Sequence, residues 1–253
     1  MEEKKTAFLS IKDVPETTWK KLAEKRIYFG HQSVGYNILD GMRDIMKENP
    51  QIRLKIVETS NPEDFKAPIF AHSRVGKNED PKSKCDSFAD FIEKGLGNKT
   101  DFAFFKFCFV DITAGTNVEK VFNDYKSTMS GLKRKYPQVV FIHFTSPLMT
   151  VQTGIKALIK NIIGRSIDGY DENINRNQFN EMIKKEYEGK DAIFDLAQIE
   201  STFPDGTRAT FKINGKAYLK LVSDYTNDGG HLNDKGRKKV AEQLLILLAN
   251  LSR

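Results

Sequence analysis

Cysteine is scarce in this chain. Cys85 and Cys108 are the only two in 253 residues, which excludes a disulfide framework, and their spacing offers no cysteine-based metal site. Cys108 lies in an apolar run and reads as a small buried hydrophobe. Long hydrophobic runs are missing too, since none approaches the roughly 18–20 residues needed to cross a bilayer. Met1-Glu2-Glu3-Lys4-Lys5 leads into no apolar stretch, so no signal peptide is read here. An exported protein with its signal removed would look the same, and the compartment stays open. Internal repeats and low-complexity tracts are also lacking. Nor does one sign of charge dominate: 40 Lys and Arg stand against 34 Asp and Glu, a net charge of +6, spread along the whole length. The densest basic cluster, Lys133-Arg134-Lys135, falls where a helix ends and cations meet the dipole favourably. A nucleic-acid partner needs a basic face interleaved with aromatics, which is not found. Only four histidines occur, His31, His72, His143 and His231, and this shortens the search for a general base.

What is present is an alternation of strands and helices. A polar N-terminal extension, residues 1–24, carries a short helix around Thr17–Glu24, and one domain is expected over 25–253. Arg26–Gly30 reads as a buried strand ended by glycine. From Ser33 the apolar residues Val34, Ile38, Met42 and Ile45 recur at helical spacing. Leu54–Val57 is a second strand, followed by a long loop with Asn61-Pro62, Pro68, Gly76 and Pro81, then a helix over Phe88–Leu96. Phe102–Val110 is almost continuously apolar, as expected of a central parallel strand buried on both faces. A helix over Val118–Lys135, a strand over Val139–Phe144, a polar helix over Tyr170–Glu188 and a strand over Ala192–Leu196 follow. Val240, Leu244, Leu245, Leu248 and Leu251 mark a final helix. Residues 206–221, with Asn214-Gly215 in the middle, read as a hairpin. The pattern predicts a three-layer α/β/α sandwich around a mostly parallel, five-stranded, flavodoxin-like sheet. In such sheets functional groups collect beyond the carboxyl ends of the strands.

Two of those places carry chemistry. Gly30-His31-Gln32-Ser33-Val34-Gly35 joins the first strand to the first helix, so the Ser33 hydroxyl sits where free N–H groups and the dipole favour an oxyanion. Ser is also a preferred N-cap, and capping is the simpler role. Near the other end, Asp228-Gly229-Gly230-His231 precedes Asn233 and the last helix. An acid three residues before a histidine can hold one ring nitrogen while the other faces a nucleophile; a glycine turn with an exposed histidine is the simpler alternative. His143 lies within a strand, and His31 is too near Ser33 for an easy in-line base. His231, which brings its own acid, is the best candidate.

The order strand–Ser–helix near the N-terminus, with Asp-x-x-His just before the last helix, resembles the SGNH/GDSL hydrolase superfamily over residues 25–250. Thr145-Ser146-Pro147-Leu148 resembles a proline turn of that family, and Phe29–Gly35 is similar to the His-x-Ser-Val-Gly first block of divergent branches. The resemblance implies Ser33 as nucleophile, His231 as base and Asp228 as its orienting acid. It implies Gly76, in His72-Ser73-Arg74-Val75-Gly76-Lys77-Asn78, as a backbone oxyanion donor. Two departures stand out. His31-Gln32-Ser33 replaces Gly-Asp-Ser, and Cys108-Phe109-Val110-Asp111 stands where Gly-x-Asn-Asp is usual, so Val110 replaces an oxyanion Asn. Losing such a donor typically costs roughly 10²–10³ in turnover. Asn78 and Gln32 are the side-chain amides available to replace it, and His31 completes the candidate oxyanion and substrate-binding set. Asp111 is expected to order its loop.

The function so implied is a serine ester hydrolase that uses no metal or organic cofactor, acting on a small-molecule or glycan acyl ester. A glycan- or protein-binding module that has lost activity through Val110, and an acyltransferase with the same triad, are the alternatives. A metal-dependent phosphoesterase built on His31, Asp111, Asp228 and His231 lacks a familiar ligand spacing.

Overall fold

The computed structural model describes residues 5–152 and 167–253. Six strands form one sheet in the order β2-β3-β1-β4-β5-β6, and every neighbouring pair is parallel. They are β1 (Arg26–His31), β2 (Ile56–Glu58), β3 (Ile69–Arg74), β4 (Phe102–Phe105), β5 (Val140–Phe144) and β6 (Ala192–Phe194). Helices α1 (Glu16–Ala23), α2 (Ser33–Glu48), α6 (Leu196–Glu200) and α7 (Asp234–Leu251) cover one face, and α3 (Pro81–Glu93), α4 (Val118–Lys135) and α5 (Tyr170–Tyr187) cover the other. The result is the three-layer α/β/α sandwich.

Alternation along the strands divides the core in two. Ile27 and Phe29 of β1 point to the α2–α7 side, and Tyr28 between them points to the α3–α5 side. Phe102 and Phe104 of β4 behave likewise against Ala103 and Phe105. A row of phenylalanines therefore runs across the sheet under α2 and α7. Phe29 and Phe104 have ring centroids 5.0 Å apart, Phe104 and Phe144 lie 5.1 Å apart, and Phe144 and Phe194 4.7 Å. These offset and tilted contacts add to the burial of large apolar surfaces.

The sheet has one strand more than the five expected. The sixth, β3, lies inside the stretch read as a long loop, because Pro62, Pro68, Gly76 and Pro81 crowd its flanks. It nonetheless occupies an interior position, paired with β1 along its whole length and with β2 on the other side. Helix α3 begins at Pro81 rather than near Phe88: Asp80 caps it by accepting from the Ser83 amide, and proline sits in the first turn. Strand β4 ends at Phe105 instead of running to Val110, and the chain then turns through a 3-10 segment, Phe109–Asp111. Leu196 starts α6 rather than ending β6. The expected hairpin is present as β7 (Thr210–Ile213) and β8 (Lys216–Leu219), with Asn214 and Gly215 both at positive φ, +50° and +80°, as an Asn-Gly two-residue turn requires.

Two features bring distant residues together. Helix α2 and helix α7 pack closely at Gly41, where an added Cβ would lie 2.3 Å from the Arg237 carbonyl oxygen. The Arg237 guanidinium reaches Asp44 on α2 at 2.7 and 3.1 Å. In addition, β1 is the strand where the chain order reverses, with β2 and β3 on one side and β4 to β6 on the other. The loop leaving its carboxyl end is where open α/β sheets hold their ligands.

Truncating the middle of the aromatic row is expected to cost far more than a surface change. Phe104→Ala should lower unfolding free energy by about 3–5 kcal/mol, read from the urea midpoint at unchanged slope. A loss within the range of an exposed substitution would contradict this account of the core.

Candidate active site

Helix α2 starts at Ser33, directly after β1, with Gln32 as its N-cap residue. The Ser33 hydroxyl does not cap the helix. Its Oγ lies 2.9 Å from His231 Nε2. The imidazole comes from the loop before α7, and Leu232, beside it, donates its amide to Asn37 of α2 at 3.3 Å. The α2–α7 packing thus sets the distance between hydroxyl and ring.

Asp228 holds His231 in two ways. Its Oδ2 lies 2.7 Å from His231 Nδ1, and its Oδ1 accepts from the backbone amides of Gly230 at 2.9 Å and His231 at 2.8 Å. Partial burial raises the Asp228 pKa, but the hydrogen bonds from those two amides and from the imidazole outweigh it and leave the carboxyl well below its ordinary range. An ionised carboxylate only accepts, so Nδ1 carries the ring proton and the Nε2 lone pair faces Ser33. The Phe109 ring packs edge-on against His231, with centroids 5.2 Å apart.

The other candidates are placed differently. Gln32 Nε2 donates to the carbonyls of Val75 at 3.0 Å and Gly76 at 2.9 Å, so the amide joins the loop after β1 to the loop after β3. Gly76 has φ +54°, and a Cβ there would come within 2.5 Å of the Lys84 nitrogen; only glycine fits this turn. Asn78 is exposed, and its Oδ1 accepts from Lys84 Nζ at 3.0 Å. Val110 is half-buried and packs on the apolar cluster. Asp111 orders its loop as expected. Its carboxylate takes the Cys108 amide at 2.6 Å and the Glu79 amide at 3.0 Å, and pairs with Lys84 at 2.5 Å with both side chains fully buried.

His31 does not line an open site. It is fully buried, with Nδ1 2.8 Å from the Gln32 carbonyl and Nε2 3.1 Å from His72 Nδ1. A carbonyl can only accept, so His31 carries its proton on Nδ1. His72 must then donate from its own Nδ1 to His31 Nε2. Burial, opposed only in part by the Gln32 hydrogen bond, pushes the His31 pKa down to about 3, and the ring is a neutral support beneath the Ser33 loop. His31, Asp111, Asp228 and His231 therefore form no common cluster, and no group of three or more His, Cys, Asp or Glu among the described residues is arranged to hold a metal ion.

Several residues that shape the site were not expected to do so. Arg176 of α5 is buried and donates to the Phe109 carbonyl from Nε at 3.0 Å and Nη2 at 2.7 Å, which orients the segment carrying the ring against His231. Asn173, bound to Arg176 Nη1, spans the Met149 amide and carbonyl, and Asn180 spans those of Ser146. The Thr150 amide then donates to the Gly229 carbonyl at 2.9 Å, tying the loop after β5 to the His231 loop. Residues 173, 176 and 180 share one helix face, the only sign in the sequence that this polar face turns inward.

No protein-family model and no curated protein matches the sequence. Solved structures do match in three dimensions. A GDSL-like lipase from Bacteroides thetaiotaomicron is similar over 92% of this chain and 90% of its own, with a TM-score of 0.56 and 14% identity. A putative platelet activating factor protein from Streptococcus pneumonia covers 94% of each chain at TM-score 0.50 and 15% identity. A putative GDSL-like lipase from Parabacteroides merdae has TM-score 0.50 at 14% identity, covering 89% of this chain and 95% of its own. The fold is that of the GDSL/SGNH-like lipases. In this chain that fold carries a hydrogen-bonded Ser–His–Asp arrangement at the end of β1.

Acid should weaken the fold through His31. Its folded-state pKa is depressed below the ordinary 6.5, so its neutral form stabilises the protein fully above pH 6.5, and this contribution is lost as pH falls toward 3. The urea midpoint should drop across that window, and His31→Gln should make the drop shallower by about one proton. An equally steep decline in the variant would remove His31 from this role.

Proposed function

We propose that the chain is a serine ester hydrolase of SGNH type in which Ser33 is the nucleophile, His231 the general base and Asp228 the residue that orients it. The observation that carries this reading is the continuous Ser33 Oγ–His231 Nε2 and His231 Nδ1–Asp228 Oδ2 pair of contacts, at 2.9 and 2.7 Å. Ser33 Oγ attacks the acyl carbon as Nε2 takes its proton, and the ionised Asp228 stabilises the resulting imidazolium. His231 next protonates the leaving alcohol, then activates the water that releases the acyl group. The chemistry uses protein groups alone.

The oxyanion is assigned to the backbone N–H groups of Ser33, at the start of α2, and Gly76. Gln32 shapes the site rather than donating to it, since its amide is spent on Val75 and Gly76. Asn78 has its oxygen on Lys84, which leaves its Nδ2 to supply the donor that Val110 cannot. The substrate assigned is a small acyl ester on a carbohydrate. His231 and Asp228 keep 41% and 56% of their side-chain surface, an openness that suits a bulky alcohol half. The His-x-Ser-Val-Gly block, here His31-Gln32-Ser33-Val34-Gly35, fits a divergent branch of the superfamily. The replacement of Asn by Val110 favours a second reading, an inactive glycan- or protein-binding module, and the same experiment separates the two.

A fluorophosphonate probe should label the wild type once, and Ser33→Ala and His231→Ala should abolish labelling. Hydrolysis of p-nitrophenyl acetate should fall by at least about 10³ in both variants, and by about 10²–10⁴ in Asp228→Asn, which loses the ring orientation. No labelling of a folded wild type would support the binding module.

An amide swap at the oxyanion site gives a milder effect. Asn78→Ala should reduce turnover by about 10-fold or more with little change in KM. Unchanged turnover would remove Asn78 from the oxyanion site.

A further inference from the structure

A cavity that shares no lining residue with the Ser33 site lies between the C-terminal halves of α4 and α5 and against β5. Its volume is about 350 Å³, within the range of small-ligand sites. Met129 of α4 and Phe141 of β5 give it an apolar wall, and His143 and Tyr187 also line it. His143 is 2% exposed and Tyr187 6%, and their rings stack at 3.5 Å.

These two side chains are incompletely satisfied. The Tyr125 hydroxyl lies 2.8 Å from His143 Nδ1, and burial keeps that hydroxyl protonated. The Asp191 carboxylate oxygen 3.6 Å from Nε2 favours the ring proton on that nitrogen, which leaves Nδ1 to accept from the Tyr125 hydroxyl. Burial also pushes the His143 pKa down to about 4, so the ring is neutral. Nε2 faces Asp191 from 3.6 Å, beyond hydrogen-bond length, because Asp191 is drawn to Lys133. His143 Nε2 and the Tyr187 hydroxyl are both buried without a hydrogen-bond partner, which is costly in a folded protein.

The mouth has donors to spare. Glu186 is held by Lys126 at 2.8 Å, with Lys190 at 4.0 Å, and Asp191 is held by Lys133. Arg134 lines the cavity and makes no ion pair among the described residues. The cavity thus has a cation at its rim, an apolar wall, unsatisfied polar atoms buried at its floor, and acids already engaged.

We propose that this cavity binds a small aromatic carboxylate with a second oxygen at its far end. Arg134 holds the carboxylate at the mouth, Met129 and Phe141 cover the ring, and His143 Nε2–H donates to the distal oxygen. The assignment is independent of the ester-hydrolase reading, since no residue is shared with the Ser33 site.

The test is a ¹H–¹⁵N NMR titration of the whole chain with 4-hydroxybenzoate. Comparison probes are 4-hydroxybenzyl alcohol, which lacks the charge, and inorganic phosphate, which lacks the ring. The acid should give saturable shifts in α4, α5 and the His143 ring, at least about five times tighter than either comparison probe. Arg134→Gln, an exposed change that leaves the core intact, should weaken binding about fivefold or more, and Ser33→Ala should leave it unchanged. No saturable shifts up to about 10 mM would overturn the proposal. So would equal binding of the alcohol or of phosphate, insensitivity to Arg134→Gln, or loss of binding in Ser33→Ala.

Discussion

The close approach of α2 to α7 is the contact on which the site depends. Ser33 opens one helix and His231 immediately precedes the other, 198 residues later. Neither loop alone can set the Oγ–Nε2 distance. What sets it is the seat of Gly41 on the Arg237 carbonyl, the Asp44–Arg237 ion pair and the row of phenylalanines on which both helices rest. A side chain at position 41 would part the helices and carry hydroxyl and imidazole away from each other. Core packing and site geometry are here one constraint.

Around this contact the loops are held by buried polar groups as well as by apolar packing. Lys84 and Asp111 lock the loop after β3 to the loop after β4, and Arg176 fixes the Phe109 carbonyl. Asn173 and Asn180 grip the loop after β5 through paired amide–carbonyl contacts. Each of these residues makes at least two hydrogen bonds, which makes its burial tolerable. Such groups discriminate sharply between one loop position and the next, because a small shift leaves a buried donor or acceptor unmatched.

The sequence made the layered architecture legible because Phe102–Phe105 and Val140–Phe144 are apolar on both faces and alternate with clearly periodic helices. Strand β3 was hidden because its interior place comes from pairing with β1, while its local neighbours are prolines and glycine. The Asp228–His231 pair could be anticipated from spacing, since a carboxylate three residues before a histidine reaches its ring locally, whereas Ser33 is joined to it through the family resemblance. Arg176, Asn173 and Lys84 could not, because a polar residue on a helix looks the same whether it faces water or a neighbouring loop. His31 stood beside the serine in sequence and was assigned to the open site. Strand β1 instead turns it inward, where it meets His72.

The double grip of Asp228 on His231 has a mechanical consequence. The carboxylate binds the backbone amide of the histidine as well as its ring, so the two side chains are fixed to one another within the loop. A shift of that loop as a unit would change the gap to the serine and not the pairing within the loop, and the Thr150–Gly229 bond ties the loop after β5 to the same segment.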